Sequence, residues 1–481
     1  MHRSVRNGWI LSASFAGMLL AAGCMGSKVP APVSPNEPIQ YPLIDLKNVD
    51  NEQEWHVNNT HDPSIFKDGD TYYVFSTDVK AGGTPRPGIM VRKSEDLIAW
   101  DWVGYAFPNG IPESALSWTK ATTLWAPDVT KLGDTYYLYY SASQFGTNRS
   151  MIGVATSKQI TGPWEDQGAV IKTQAGDEPN AIDPNVVFDA EGNPWLTYGS
   201  FFGGIYVMQL NPATGKPAEQ GFGTRIASRD HQTEEGAVEA PYMIYNKETK
   251  KYYLFVSYDS LFADYNVRVG RSDSMKGPFV DKNGNDLNDT KHTPQYEIGN
   301  KVLGGYSFTK GEGWIAPGHN SVLQDQGKTF MVSHARAESR TSWSYLQVRQ
   351  MLWTKDGWPV VSPERYAGEY LQLIPKSIIA GQWERIYQAK DANGRVKAKP
   401  LILTADGKAE GEPGVGSWKF DGEHTITIEW SGDSVNKRSE QVLLLPSWDW
   451  ELNRPSLVFT GLDEQGASVW GKQISAIDEG E

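Results

Sequence analysis

Four short segments set a titratable side chain beside apolar neighbours just ahead of a strand-like run: His61-Asp62-Pro63, Asn180-Ala181-Ile182-Asp183-Pro184, Val238-Glu239-Ala240-Pro241 and Gly318-His319-Asn320. Trp125-Ala126-Pro127 has the same form without the charge. A carboxylate in an apolar setting is costly unless it is used or paired, so repeated carboxylates of this kind point to proton chemistry. An apolar pocket with negative neighbours keeps one carboxyl protonated as an acid, while a second stays ionised and takes a proton from water. Glu239, between Val238 and Ala240, is expected as the acid. Asp62 is expected as the base, and Asp183 as the charge that raises the acid's proton affinity and orients the substrate.

These residues must be positioned by the elements around them. From about residue 45 to residue 371 a unit recurs: a short apolar strand, a Gly turn and an aromatic strand. Ser64-Ile65-Phe66, Gly69-Asp70 and Tyr72 to Phe75 form one copy, and Val129 to Leu132, Gly133-Asp134 and Tyr136 to Tyr140 another. Further copies begin at Val186, Tyr242 and Val322. Leu97 to Trp100, Gly162-Pro163-Trp164 and Gly277-Pro278-Phe279 read as the starts of outer strands. Five antiparallel sheets spaced by roughly 55 to 80 residues fit a five-bladed β-propeller better than a sandwich. In such a ring the innermost strands line a central channel. Asp62, Asp183, Glu239 and His319 are expected at the inner-strand starts of four blades, with Ala126 in the remaining one.

The rest of the chain frames this head. With 481 residues, two domains are expected. A net charge of -13 argues against nucleic acid, and 18 Trp and 22 Tyr among 48 Gly suit turn-rich β-structure with flat faces for sugars. Residues 1–24 read as an export signal ending in Leu20-Ala21-Ala22-Gly23-Cys24, which resembles a bacterial lipobox, so the single cysteine is expected to carry a lipid anchor. Met25 after that cysteine points to the outer membrane or cell surface. Residues 25–44, with Pro30, Pro32, Pro35, Pro38 and Pro42, read as an extended tether that does not pack. Residues 372–481 read as a small all-β barrel or sandwich. Within it, Trp448-Asp449-Trp450 is expected to pack or to bridge the domains, with glycan binding as the alternative.

Taken together and in order, the motifs from Asn48 to Leu371 resemble glycoside hydrolase family 43, and within it the endo-arabinanases that cut α-1,5-linked L-arabinan. The resemblance implies that His61-Asp62-Pro63 holds the general base, Asn180-Ala181-Ile182-Asp183-Pro184 the orienting aspartate, and Val238-Glu239-Ala240-Pro241-Tyr242 the general acid. It implies substrate contacts at Trp125, Asn180, Ser200, Phe201 and Tyr242, and a bound calcium ion near His319. By position alone His319 is either that ion's ligand or a protonated partner of the surrounding acids. Inverting hydrolysis separates acid and base by about 6.5 to 9.5 Å, a gap that two blades can supply. A monomer acting on arabinan side chains of pectin is expected. The alternatives are an exo-acting arabinofuranosidase or β-xylosidase of the same family, and a non-catalytic glycan-binding lipoprotein.

Overall fold

The computed structural model describes residues 30–43, 49–230, 237–431 and 438–476. The predicted aromatic hairpins fold into five radial sheets. Blade one is β1 (Ser64–Asp68), β2 (Thr71–Ser76), β3 (Met90–Ser94) and β4 (Asp101–Tyr105), and blade two is β5 (Leu124–Leu132), β6 (Thr135–Ala142), β7 (Ser150–Ser157) and β8 (Glu165–Thr173). Blade three comprises β9 (Asn185–Phe188), β10 (Pro194–Tyr198), β11 (Ile205–Asn211), β12 (Lys216–Pro217) and β13 (Thr224–Ala227). Blade four is β14 (Val238–Asn246), β15 (Lys251–Tyr258), β16 (Asn266–Ser272) and β17 (Asn300–Leu303). Blade five runs through β18 (Gly305–Ser307), β19 (Trp314–Asp325), β20 (Lys328–Ala337), β21 (Arg340–Trp353) and β22 (Pro359–Val361). Gly162-Pro163-Trp164 does lead into an outer strand. Gly277-Pro278-Phe279 instead opens a long excursion, because Val280 bridges back to Arg271 and the outer strand β17 begins only at Asn300.

The inner strands β1, β5, β9, β14 and β19 pack in a closed circle. Polar side chains stitch neighbouring blades at the same level. Asp128 of blade two accepts the Ser64 hydroxyl at 2.8 Å and the Val186 N–H at 2.7 Å, and Asn185 of blade three accepts the Met243 N–H at 2.8 Å. Ser321 of blade five donates to the Pro63 carbonyl at 2.8 Å and accepts from Ile65 N–H. Residues 57–60 complete the closure along β21, where Leu346 N–H reaches the Val57 carbonyl at 2.7 Å.

The C-terminal region is a closed barrel. Its strands are β23 (Gly381–Gln388), β25 (Lys399–Leu403), β26 (Lys408–Gly411), β27 (Gly414–Gly422), β28 (Thr425–Trp430), β29 (Arg438–Asp449), β30 (Arg454–Asp463) and β31 (Ser468–Ala476). Trp383, Trp418, Trp430, Ile428 and Phe459 pack together in its core. A short strand between β23 and β25, β24 (Arg395–Lys397), leaves the barrel and extends the blade-five sheet alongside β18. At the same seam the buried Lys472 ammonium lies 3.1 Å from Glu364 and 3.0 Å from Asp449. Trp450 donates to the Arg365 carbonyl at 2.7 Å, and the Arg365 guanidinium lies over the rings of both Trp450 and Trp314 of β19, so the Trp-Asp-Trp segment packs at this seam.

The tether corrects the sequence reading, because its described part packs. Val33 and Gln372 exchange two hydrogen bonds of 2.8 Å, Asn453 binds Glu37 and Gln40, and the Tyr41 ring stacks 4.4 Å from His56. Prolines fix φ and leave little conformational entropy to lose on docking, so an extended proline-rich strap adheres at low cost. The export signal and Cys24 lie outside the described residues.

Candidate active site

The central chemistry rests on five residues held in the left-handed region: Asp62 (φ 51), Ala126 (38), Asp183 (57), Ala240 (53) and His319 (46). Asp62 and Asp183 sit just ahead of β1 and β9, whereas Ala126, Ala240 and His319 lie inside β5, β14 and β19, where a bulge marks the spot between Trp125 and Asp128, Glu239 and Tyr242, and Gly318 and Ser321. Such a conformation costs a non-glycine residue on the order of 1 kcal/mol. A hydrogen bond to each bulge N–H offsets it by a similar amount. Ala126 N–H reaches Thr77 Oγ1 at 2.7 Å, Asp183 N–H reaches Ser141 Oγ at 3.0 Å, and His319 N–H reaches Ser257 Oγ at 2.9 Å. Asp62 N–H reaches His334 Nδ1 at 3.2 Å.

Blade four differs, and the difference shapes the site. The position that supplies the acceptor elsewhere is Gly199, whose N–H pairs with the Ile182 carbonyl and whose Cβ, if present, would lie 2.2 Å from the Gly204 carbonyl. The Asp183 carboxylate takes the vacant role and accepts Ala240 N–H at 3.0 Å. The orienting aspartate is thereby pinned to the residue that follows the acid. This pattern corrects the predicted register. The blade-four equivalent of Asp62, Asp183 and His319 is Ala240, and Glu239 stands one residue earlier, level with Trp125 and Gly318. Successive residues at a bulge do not simply alternate sides.

Asp62, Asp183, Glu239 and His319 nevertheless line one cleft of ≈ 780 Å³, together with Trp125, Asn180, Ser200 and Phe201. Tyr242 does not line it. Its hydroxyl bonds the Val322 carbonyl at 3.3 Å, placing the ring between blades four and five, two residues past the bulge. Asn180 is buried and accepts the Ser150 hydroxyl at 2.6 Å. Sequence reasoning missed several lining or supporting groups: Thr77, His61, His334, Tyr265, Arg336, and the exposed rings of Phe145 and Phe262. Thr77 and His334 were findable as ends of the second strand in successive repeats, level with Ser141 and Ser257. Tyr265 and Arg336 carry no such signal.

The three carboxylates live in unlike fields. Asp62 receives the Thr77 hydroxyl on Oδ2 at 2.6 Å, and His319 Nδ1 lies 3.0 Å and His61 Nδ1 2.7 Å from its Oδ1. Burial alone would raise this carboxyl, but the His319 and His61 charges and hydrogen bonds hold it well below the usual range. His319 is driven the other way. Burial opposes its charge, yet Asp62 and Asp183 lift it to about 9. Burial pushes Asp183 up to about 7, with His319 opposing and the Glu239 and Asp62 charges reinforcing, and burial raises Glu239 against hydrogen bonds from Tyr265 and Ser200. The arrangement is an Asp62 held toward its ionised form facing a Glu239 and an Asp183 that burial pushes toward their protonated forms. That is an acid and a base in one cleft.

The donor atoms of His61, Asp62 and His334 lie within 4.8 Å of one another. Burial and the neighbouring His61 keep His334 uncharged, its pKa well below the ordinary value. Both side-chain polar atoms of Asn320, the Ser333 hydroxyl and His334 Nε2 are buried without a protein partner. Buried polar atoms without a protein partner call for water or an ion to satisfy them.

Residues 57–359 match the model of the glycosyl hydrolases family 43, and residues 363–471 match a C-terminal lipocalin-like domain. The chain is 33% identical over 455 residues to the extracellular endo-α-(1→5)-L-arabinanase 2 of Bacillus subtilis (strain 168), covering 86% of this chain and 93% of that one. The crystal structure of an endo-1,5-α-L-arabinanase from Thermotoga petrophila RKU-1 superposes with a TM-score of 0.78 at 34% identity, covering 88% of this chain and 99% of that one. An extracellular exo-α-(1→5)-L-arabinofuranosidase of Cellvibrio japonicus (strain Ueda107) is 33% identical over 327 residues, covering 63% of this chain and 86% of its own.

Proposed function

The chain belongs to glycosyl hydrolase family 43, and we propose that it is an exported endo-acting hydrolase that cuts internal α-1,5-linked L-arabinofuranosyl bonds of arabinan with inversion. The observation that carries this reading is the unequal treatment of three carboxylates around one cleft. Asp62, kept ionised, takes a proton from the water that attacks the anomeric carbon. As the new C–O bond forms and the glycosidic C–O bond breaks, Glu239 gives its proton to the leaving oxygen. Asp183, pinned to Ala240 N–H, and Glu239 repel each other's charge, so ionisation of either one favours the proton on the other. Relatives matching both domains are named endo-arabinanases. Phe145 (78% exposed) and Phe262 (62%) on the cleft rim offer stacking surfaces beyond the bond that is cut, which favours action within a chain.

Asp62→Ala, Asp183→Ala and Glu239→Ala should each lower turnover of linear arabinan by about a hundred- to ten-thousand-fold with the fold intact. NMR of the first product should show the inverted anomer. Release of reducing ends from linear arabinan should far outpace release from a nitrophenyl arabinofuranoside; the opposite ratio establishes exo action.

A calcium ion held in part by His319, with water filling most of its shell, is included in this proposal. Its charge would help keep Asp62 ionised. The lipobox supports a further reading, in which Cys24 bears a lipid anchor and the strap of residues 30–43 holds the catalytic head a short chain length from the membrane.

A further inference from the structure

Glu239 is gripped at both oxygens. Tyr265 donates its hydroxyl to Oε1 at 2.6 Å, and Ser200 donates to Oε2 at 2.8 Å. Tyr265 is 1% exposed and closes the turn between β15 and β16, with its N–H on the Ser260 carbonyl at 2.8 Å. Leu261 and Phe262 of the same turn line the cleft. The tyrosine ring lies 5.9 Å from the His334 ring in a stacked arrangement. On another side it fills space that a side chain at residue 318 would occupy, since a Cβ on Gly318 would lie 2.1 Å from Tyr265 Cδ1. Gly318 heads the Gly-His-Asn segment, and this contact explains why that position carries no side chain.

We propose that Tyr265, seated in the space left by Gly318, is a positioning residue for the general acid, with Ser200 as its counterpart on the other oxygen. The inference rests on the assignment of Glu239 as acid. Rotation of a carboxyl about its last bond is soft, so an ungripped Glu239 would present its proton to the leaving oxygen only part of the time. Two fixed O–H donors set its plane. Both hydrogen bonds strengthen as the proton departs and negative charge develops on the carboxylate, which is when stabilisation accelerates the reaction. The charged groups around Glu239 are Asp62 from blade one and His319 from blade five, with Asp183 from blade three within reach of its charge. None of them donates to its oxygens, and the two hydroxyls carry that task.

The test compares linear arabinan with a nitrophenyl α-1,5-arabinotrioside, whose leaving group departs without a proton. Tyr265→Phe keeps the ring and its packing and removes only the donor. The arabinan-to-aryl ratio of kcat should fall by about ten- to a hundredfold, with KM for arabinan changed less than about threefold. Ser200→Ala should shift the ratio in the same direction, and Glu239→Gln should shift it further. Equal losses on both substrates in Tyr265→Phe, alongside a strong shift in Glu239→Gln, overturn the positioning role. No shift in Glu239→Gln overturns the acid assignment itself.

Discussion

Thr77 joins the base to the strained backbone of the next blade, and Thr77→Val separates those functions from shape. Its hydroxyl donates to Asp62 Oδ2 at 2.6 Å and accepts the Ala126 N–H at 2.7 Å. Valine matches the side chain in size and branching, so no cavity forms and the two hydrogen bonds are what is lost. A bond to a charged acceptor contributes roughly 1.5 to 3 kcal/mol, and a buried N–H left without a partner costs about 1 to 3 kcal/mol. Asp62 keeps His319 and His61, which absorbs part of the first loss, so a net destabilisation of about 3 kcal/mol is expected. Ala126, at φ 38, loses the bond that offsets its conformation. Urea unfolding followed by tryptophan fluorescence measures the change, with Thr77→Ser as the control that restores the hydroxyl. Turnover of linear arabinan should fall about tenfold, since Asp62 loses the bond that fixes its Oδ2 while its Oδ1 stays held by His319 and His61. A valine variant within 0.5 kcal/mol of the parent, on the order of a neutral surface change, or one matched by the serine variant in its loss, refutes the bridging role.

Stability should fall as pH rises from about 5.5 to 8.5. Burial lifts Asp78, Asp128 and Asp183 each to about 7, so through this range the folded chain holds protons that the unfolded chain releases. Asp62 is ionised in both states across that window and contributes no slope, and a melting temperature that rises with pH contradicts the assignment. Prolonged chelation should lower activity with little change in melting temperature, added calcium should restore it, and His319→Ala should respond to neither; full activity after verified metal removal leaves His319 as a charge partner. Cys24→Ser should move the protein from the membrane fraction to the soluble fraction, and a variant that still sediments with membranes rules out the lipid anchor.

Much of this architecture is written locally. Aromatic runs such as Tyr72 to Phe75 and Tyr136 to Tyr140, each behind a Gly-Asp turn, encode hairpins within a few residues, so the blades are legible without tertiary information. Likewise Asp62, Asp183 and Glu239 stand out because carboxylates ahead of prolines at repeated strand starts have few structural uses. What one strand cannot encode is its relation to the next. Whether Glu239 or Ala240 takes the left-handed place depends on the bulge in β14, and what accepts the Ala240 N–H depends on Gly199 one blade away, which has no side chain and leaves that role to Asp183. Barrel and sandwich share the same alternation, and only the long-range pairing of β23 with β31 closes the sheet. The proline-rich strap looks like a free tether until Gln372 and Asn453 are brought beside it from the far end of the chain. Tyr265 reaches Glu239 across 26 positions, and Thr77 reaches Ala126 across 49. Residue types and local periodicity are properties of the sequence, whereas hydrogen-bond partners, bulge register and the fields that set Asp62 and Glu239 apart arise only once distant segments share one low-dielectric interior.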